Sequence, residues 1–311
     1  MKFVFNEEKN GKMREILMMQ PKVEEGKAIL EKDETDPYGW YVYGKALGLE
    51  KKYREAAEAH SQGIAYAPFY APNYFGRGGK HSLLGESWQA VADYTMCIQL
   101  DPQNWLYHYY RATTFSLMDK VEDCLSDFRA CLDLTAENEH YPLIHWLYTS
   151  YCELGRYKEA QECLSLIKDD VVPPQMDYGY SMCVKLYKGL VKPEEFIDEE
   201  KMAKVVLPRE NRVQLEENTM LYGLYWYWMV HGNEEEAKKA IKKAAGDSIS
   251  RRLRCYSKSL PIAKKMGLSV LPISISNPLL QRTLVSSLPQ KVQRKLNQES
   301  FFLHCWLPLF L

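Results

Sequence analysis

The sequence predicts an all-α fold, a solenoid of about five to six helical hairpins. Three observations predict it. Residue types recur in fixed columns at a period near 34 residues, which is the signature of stacked supersecondary units. The stretch Leu147-Tyr148-Thr149-Ser150-Tyr151-Cys152-Glu153-Leu154-Gly155-Arg156-Tyr157-Lys158-Glu159-Ala160 writes out one such unit: an aromatic helix face, a Leu-Gly turn, then a second helix. The composition is that of an ordinary globular chain, with 46% hydrophobic and 26% charged residues among 311.

Residues 1–36 read as lead-in helices. Met13 to Met19 is apolar-periodic, Pro21 interrupts, and Val23 to Glu31 has the spacing of an amphipathic helix. Asp36-Pro37 closes the segment, since proline disfavours helix before it and suits a first helical turn.

Residues 37–168 hold four repeats, in rows that start at Pro37, Ala71, Trp105 and Tyr141, and residues 218–247 hold a further row from Asn218. One column reads Trp40, Tyr74, His108, Ile144 and Leu221. The next reads Gly44, Gly78, Ala112, Tyr148 and Tyr225, small in the first three rows, where paired helices must touch. Leu47, His81, Phe115, Tyr151 and Trp228 follow. After the turn come Ala56, Ala90, Cys124, Ala160 and Ala237, all small, then His60, Tyr94, Phe128, Leu164 and Ile241. Small residues let helices approach and large ones fill the gaps between hairpins, so each hairpin depends on its neighbours to bury its apolar face.

Between about Pro173 and Glu217 the register fades. Residues 169–217 read as a degenerate hairpin, with helices over Tyr178–Leu190 and Glu194–Val206. Residues 248–267 suit a basic capping helix over the last apolar face. Residues 268–311 form a Ser/Pro/apolar tail whose only acid is Glu299 and whose last 11 residues, Phe301 to Leu311, are nearly all apolar.

These columns resemble the tetratricopeptide repeat family, whose pattern is an apolar helix, a Gly-containing turn and a second helix led by Tyr-x-x-Ala. The resemblance covers 37–168 well and 218–245 acceptably. It implies a right-handed α-α superhelix in which first helices line a concave groove, and a non-enzymatic scaffold that binds another protein or peptide there. On that reading the groove column is Tyr41, Phe75, Tyr109, His145 and Tyr222, with Lys45 and Trp226 one turn further along. Those rings are either anchors for a partner, with large apolar area and a polar tip, or packing between repeats. Some family members hold a C-terminal carboxylate with a Lys/Asn/Arg clamp. The matching places here carry Tyr41, Lys45, Gly76, Leu106 and Tyr110, so that clamp is missing and a chaperone co-factor of that kind is disfavoured.

The remaining features argue against other classes. The seven histidines show no metal-ligand spacing, and His60, His81 and His108 occupy core columns. Gly76-Arg77-Gly78-Gly79 lies inside a helix and lacks the strand of a phosphate loop. No cofactor, metal or catalytic constellation is expected. The eight cysteines have no disulfide-like spacing and suit reduced core thiols in a cytoplasmic protein. The first residues turn acidic before any apolar run, unlike a secretory signal, and no run is long enough to span a bilayer. A net charge of −1 gives no global pull towards nucleic acid. Two alternatives remain. A local basic patch, with Lys238, Lys239, Lys242, Lys243, Arg251, Arg252 and Arg254 in its run, would contact an anionic partner such as nucleic acid or acidic protein. The apolar tail would dock into another copy and drive self-association.

Overall fold

The computed structural model describes residues 19–198, 200, 202, 212–246 and 262. Among these residues every regular element is helical. The α-helices are α1 (Val23–Leu30), α2 (Pro37–Leu49), α3 (Tyr53–Tyr66), α4 (Ala71–Leu83), α5 (Ser87–Leu100), α6 (Trp105–Leu117), α7 (Val121–Leu134), α8 (His140–Glu153), α9 (Tyr157–Cys163), α10 (Tyr178–Tyr187), α11 (Arg212–Val230) and α12 (Glu234–Gly246). No helix of the described residues is long and apolar enough to cross a membrane. The chain divides into two compact units at Thr114/Phe115, inside α6.

In the N-terminal unit, α2 pairs with α3 and α4 with α5, while α2 also touches α4. Helix α2 starts at Pro37 because Asp36 caps it, its carboxylate accepting from Tyr38 N at 2.9 Å, and proline supplies the first-turn φ. The indole of Trp40 donates to Glu34 O at 2.8 Å and ties the lead-in to this helix. The small columns do the work their size implies. A Cβ on Gly44 would strike the His60 ring, and one on Gly78 would meet Tyr94 and Asp93, so these two glycines are what let first and second helices close. Ala56 and Ala90 are fully buried opposite them. Between α4 and α5, Arg77 forms a two-pronged pair with Asp93 (2.7 and 3.0 Å) and also reaches Ser61 Oγ at 3.1 Å.

In the C-terminal unit, α8 packs against α7, α9, α10 and α11, and α11 pairs with α12. Cys124, Ala160 and Ala237 are buried as their column requires. Tyr148, in a column that earlier rows fill with glycine or alanine, stacks on Tyr187 with ring centroids 3.9 Å apart, so an aromatic pair replaces close backbone contact there. Cys97, Cys124, Cys131, Cys152, Cys163 and Cys183 are all buried, as expected of core thiols.

One turn repeats along the chain. Lys51, Gly85, Asp119, Gly155, Gly189 and Gly232 each take φ between 58° and 77°. Each lies just past a first helix, and each is followed by an N–H that bonds back five residues: Lys52 to Leu47, Glu86 to His81, Lys120 to Phe115, Arg156 to Tyr151, Leu190 to Lys185 and Asn233 to Trp228, all at 2.8–3.0 Å. This is the Schellman stop, which satisfies the helix's last carbonyls. Gly189 lies 34 residues after Gly155, so a row starts at Gln175 inside the segment where the sequence register fades. Its columns carry Met182 where a small residue is usual and an exposed Glu194 where alanine is usual. The expected helix Tyr178–Leu190 ends at Tyr187. The expected helix Glu194–Val206 does not begin where expected: Glu194 and Glu195 belong to a 3-10 turn, Pro193–Glu195, and residues 196–198 are not helical. The capping helix 248–267 and the tail 268–311 lie largely or wholly outside the described residues.

Candidate partner-binding site

The first-helix column that the sequence singles out is packed rather than open. In the N-terminal unit, Tyr41 is buried with its ring 5.9 Å from that of His60, and burial pushes its hydroxyl far above the usual phenol range. Phe75 is half-buried among Tyr94, Tyr107 and Tyr110, at 6.0, 5.4 and 5.1 Å between ring centroids. Tyr109 is buried edge-on to Trp105 and Tyr110. In the C-terminal unit, His145 is fully buried among Trp146, Tyr180, Tyr187 and Tyr222, its Nδ1 3.2 Å from Tyr187 Oη. Burial pulls its pKa down to about 3, so the ring is neutral near pH 7. Tyr222 and Trp226 are buried as well. An open ladder of rings is therefore not what these residues form.

The basic patch is also quieter than its sequence. Lys238 pairs with Glu234 and Glu235 at 3.2 and 3.1 Å, Lys239 with Glu236 at 2.5 Å, and Lys243 with Glu217 at 2.7 Å. The acids that open α12 reach forward one turn to Lys238 and Lys239, as i,i+3 and i,i+4 spacing allows, while Lys243 is paired from α11. Lys242 is exposed; Arg251, Arg252 and Arg254 lie outside the described residues.

The unusual chemistry sits instead where α2 meets α4. Lys45, on the expected groove column, is only 4% exposed, and so is Lys80, which no sequence argument selected. Lys80 leans across from α4, for a Cβ on Gly48 of α2 would collide with its Nζ. Burial lowers the Lys80 pKa to about 8; burial, then repulsion from Lys80, lowers that of Lys45 to about 7. His60 lies behind this pair. Asn73 Nδ2 donates to Pro37 O at 2.9 Å, so Asn73 Oδ1 accepts from His60 Nδ1–H at 3.1 Å. That fixes the tautomer and leaves His60 Nε2 a buried lone pair with no partner among the described residues. Burial and the neighbouring Lys80 pull this ring's pKa down to about 3.

Three glycines of α4 crowd one turn, Gly76, Gly78 and Gly79. His60 accounts for Gly76 and Tyr94 for Gly78, each filling the space a Cβ would take. Gly79 differs: a Cβ there would meet nothing within 4 Å. It stands in the same column as Lys45, one turn beyond Phe75 and next to Lys80. The one sequence signal for Lys80 is its own column, which reads Ala46, Lys80, Thr114 and Ser150, otherwise small. Among the described residues no cluster of His, Cys, Asp and Glu is arranged to hold a metal ion.

No family model matches this chain, and no curated protein matches it. Solved structures do. It is similar to YrrB, described as a tetratricopeptide repeat protein with an unusual peptide-binding site, at 12% identity and a TM-score of 0.47, covering 71% of this chain and 91% of that one. It is also similar to a tetratricopeptide repeat protein from Parabacteroides merdae (14% identity, TM-score 0.49, 76% and 91% covered). A third likeness is to the Cut9–Hcn1 hetero-tetramer of the APC/C (14% identity, TM-score 0.45, 76% of this chain and 47% of that one).

Proposed function

We propose that this chain is a non-enzymatic scaffold that holds a partner polypeptide, as a peptide or helix, against the first-helix face of its N-terminal unit. The observation that carries this reading is Gly79. A glycine inside a helix costs about 1 kcal/mol relative to alanine. Gly76 and Gly78 recover that cost through close helix packing, whereas nothing described in the chain comes near enough to Gly79 to do so. Close approach by an outside backbone is what such a bare position permits. Half-buried Phe75, one turn away, supplies apolar area for the same partner, with Tyr94, Tyr107 and Tyr110 packed around its ring. Mechanism here means burial and shape, with no bond made or broken.

The test is selection of peptides from a random 12-residue library, displayed within a phage coat protein, against the intact chain. Peptides so obtained are expected to bind at least tenfold more weakly to Gly79→Trp and to Phe75→Ala variants of equal helicity. Binding that is indifferent to both changes, or a selection that enriches nothing, overturns the proposal.

A further inference from the structure

We infer that the junction of the α1–α2 loop with the α3–α4 turn is a second docking surface, which takes an arginine-bearing segment of a partner polypeptide. Five aromatic side chains are exposed among the described residues, and three of them belong to this junction: Tyr38 at 41%, Tyr66 at 45% and Phe69 at 85%. Hydrogen bonds and a ring stack tie its parts together. Asn73, at the start of α4, donates to Pro37 O at 2.9 Å, and the Trp40 indole donates to Glu34 O at 2.8 Å. The rings of Trp40 and Tyr66 stack with centroids 6.4 Å apart. Tyr70 N bonds to Ala67 O at 3.0 Å, which leaves Pro68 and Phe69 at the tip of a tight turn. The pKa of Tyr70 is pushed up to about 12, by burial first and then by Tyr38 and Asp36, so that turn lies against the start of α2. Single exposed rings are ordinary, but several on one junction mark an interaction surface.

Charge decides the partner. Glu31 and Glu34 are exposed on the loop and make no ion pair among the described residues, whereas Asp33 accepts from Thr35 and Asp36 caps α2. Lys32 is the one cation between Glu31 and Trp40, and no charged residue occurs from Gln62 to Tyr70. Such a rim repels a phosphate backbone or an anionic bilayer and attracts a cation. A guanidinium suits it best, because its flat face stacks on rings while its N–H groups pair with carboxylates. The surface also stands apart from Gly79. Gly48 faces Lys80 where the far ends of α2 and α4 meet, and Tyr38 opens α2 about 15 Å away along the helix axis.

The experiment titrates the intact chain into a fluorescein-labelled peptide of three Gly-Arg-Gly-Ser repeats and follows fluorescence anisotropy. Saturable binding is expected, weakened about tenfold by Tyr66→Ala with Phe69→Ala and about threefold by Glu31→Gln with Glu34→Gln. All four positions are exposed, so the fold should survive, and circular dichroism verifies it. Phe69→Ala alone, at the tip of the turn, should weaken binding in the same direction. The peptide with lysine for arginine should bind about threefold more weakly, and Gly79→Trp should change nothing. Absence of saturable binding, or binding that the ring variants leave intact, overturns the inference. Equal affinity for the lysine peptide reduces the effect to charge attraction and overturns the arginine assignment. Loss of binding on Gly79→Trp moves the peptide to the α2–α4 face and overturns the second surface.

Discussion

Replacing Lys80 by Met is expected to stabilise the protein. The native ammonium titrates at about 8, against 10.5 for a lysine in water, and burial is the cause. A difference of about 2.5 units, at 1.36 kcal/mol each, places the penalty at about 3 kcal/mol. Methionine has similar length and no charge, so most of that should return as stability at pH 7. The sign of the pH dependence follows. Between about 8 and 10.5 the unfolded chain holds the proton that the folded protein has released, so unfolding takes up a proton and stability rises with pH across this window. Below about 8 the penalty is present in full. Lys45, at about 7, adds to the same trend from a lower starting point. Urea denaturation followed by circular dichroism at several pH values between 7 and 10.5 measures both effects. Lys80→Met should gain about 3 kcal/mol at pH 7 and flatten the rise. A variant no more stable than the native chain, with the rise intact, would refute the claim that this ammonium is buried without a counter-charge.

Other perturbations test the packing that builds the site. Gly26→Ala should cost about 1–3 kcal/mol, because its Cβ would fall 2.5 Å from the Tyr43 Cα, and backbone cannot yield as a side-chain tip can. Gly79→Ala should instead gain up to about 1 kcal/mol, since its Cβ meets nothing; thermal melts of the two variants ought to move in opposite directions. Lys51→Gly should add about 1 kcal/mol by relieving a left-handed lysine at the first hairpin turn, and proteolysis of that turn should slow accordingly. Acid should weaken the fold through His60 and His145: both are held near 3 when folded against 6.5 in water, so stability is complete above 6.5 and falls as pH drops towards 3. An acid titration of His145→Gln should show a smaller fall than the native chain.

Much of the architecture was legible because helical hairpins impose size rules on single positions. The row starts at Pro37, Ala71 and Trp105 coincide with the first residues of α2, α4 and α6. The row at Gln175 is hidden in the sequence because Met182 and Glu194 break the columns that usually mark a hairpin, while Gly189 preserves the turn. Lys51 and Asp119 hide the same turn elsewhere, as neither residue type signals left-handed backbone. Site chemistry was less legible. Tyr41, Phe75 and Tyr109 share a register in any such array, but a ring that anchors a partner and a ring that seals a repeat have the same side chain. Lys80 reads as a surface residue until its neighbour Gly48 shows how deeply it lies. A charge's burial depends on what surrounds it in space, and a column of residue types records only part of that.

The central claim concerns Gly79, and a photocrosslinker placed there tests it most directly. Benzoylphenylalanine at position 79, irradiated with a biotinylated selected peptide, should give an adduct that excess unlabelled peptide suppresses. The same group at Glu58, exposed on the second helix α3, should give none. Equal labelling at both positions, or labelling at 58 alone, would contradict the assignment of the α2–α4 face as the partner-binding surface.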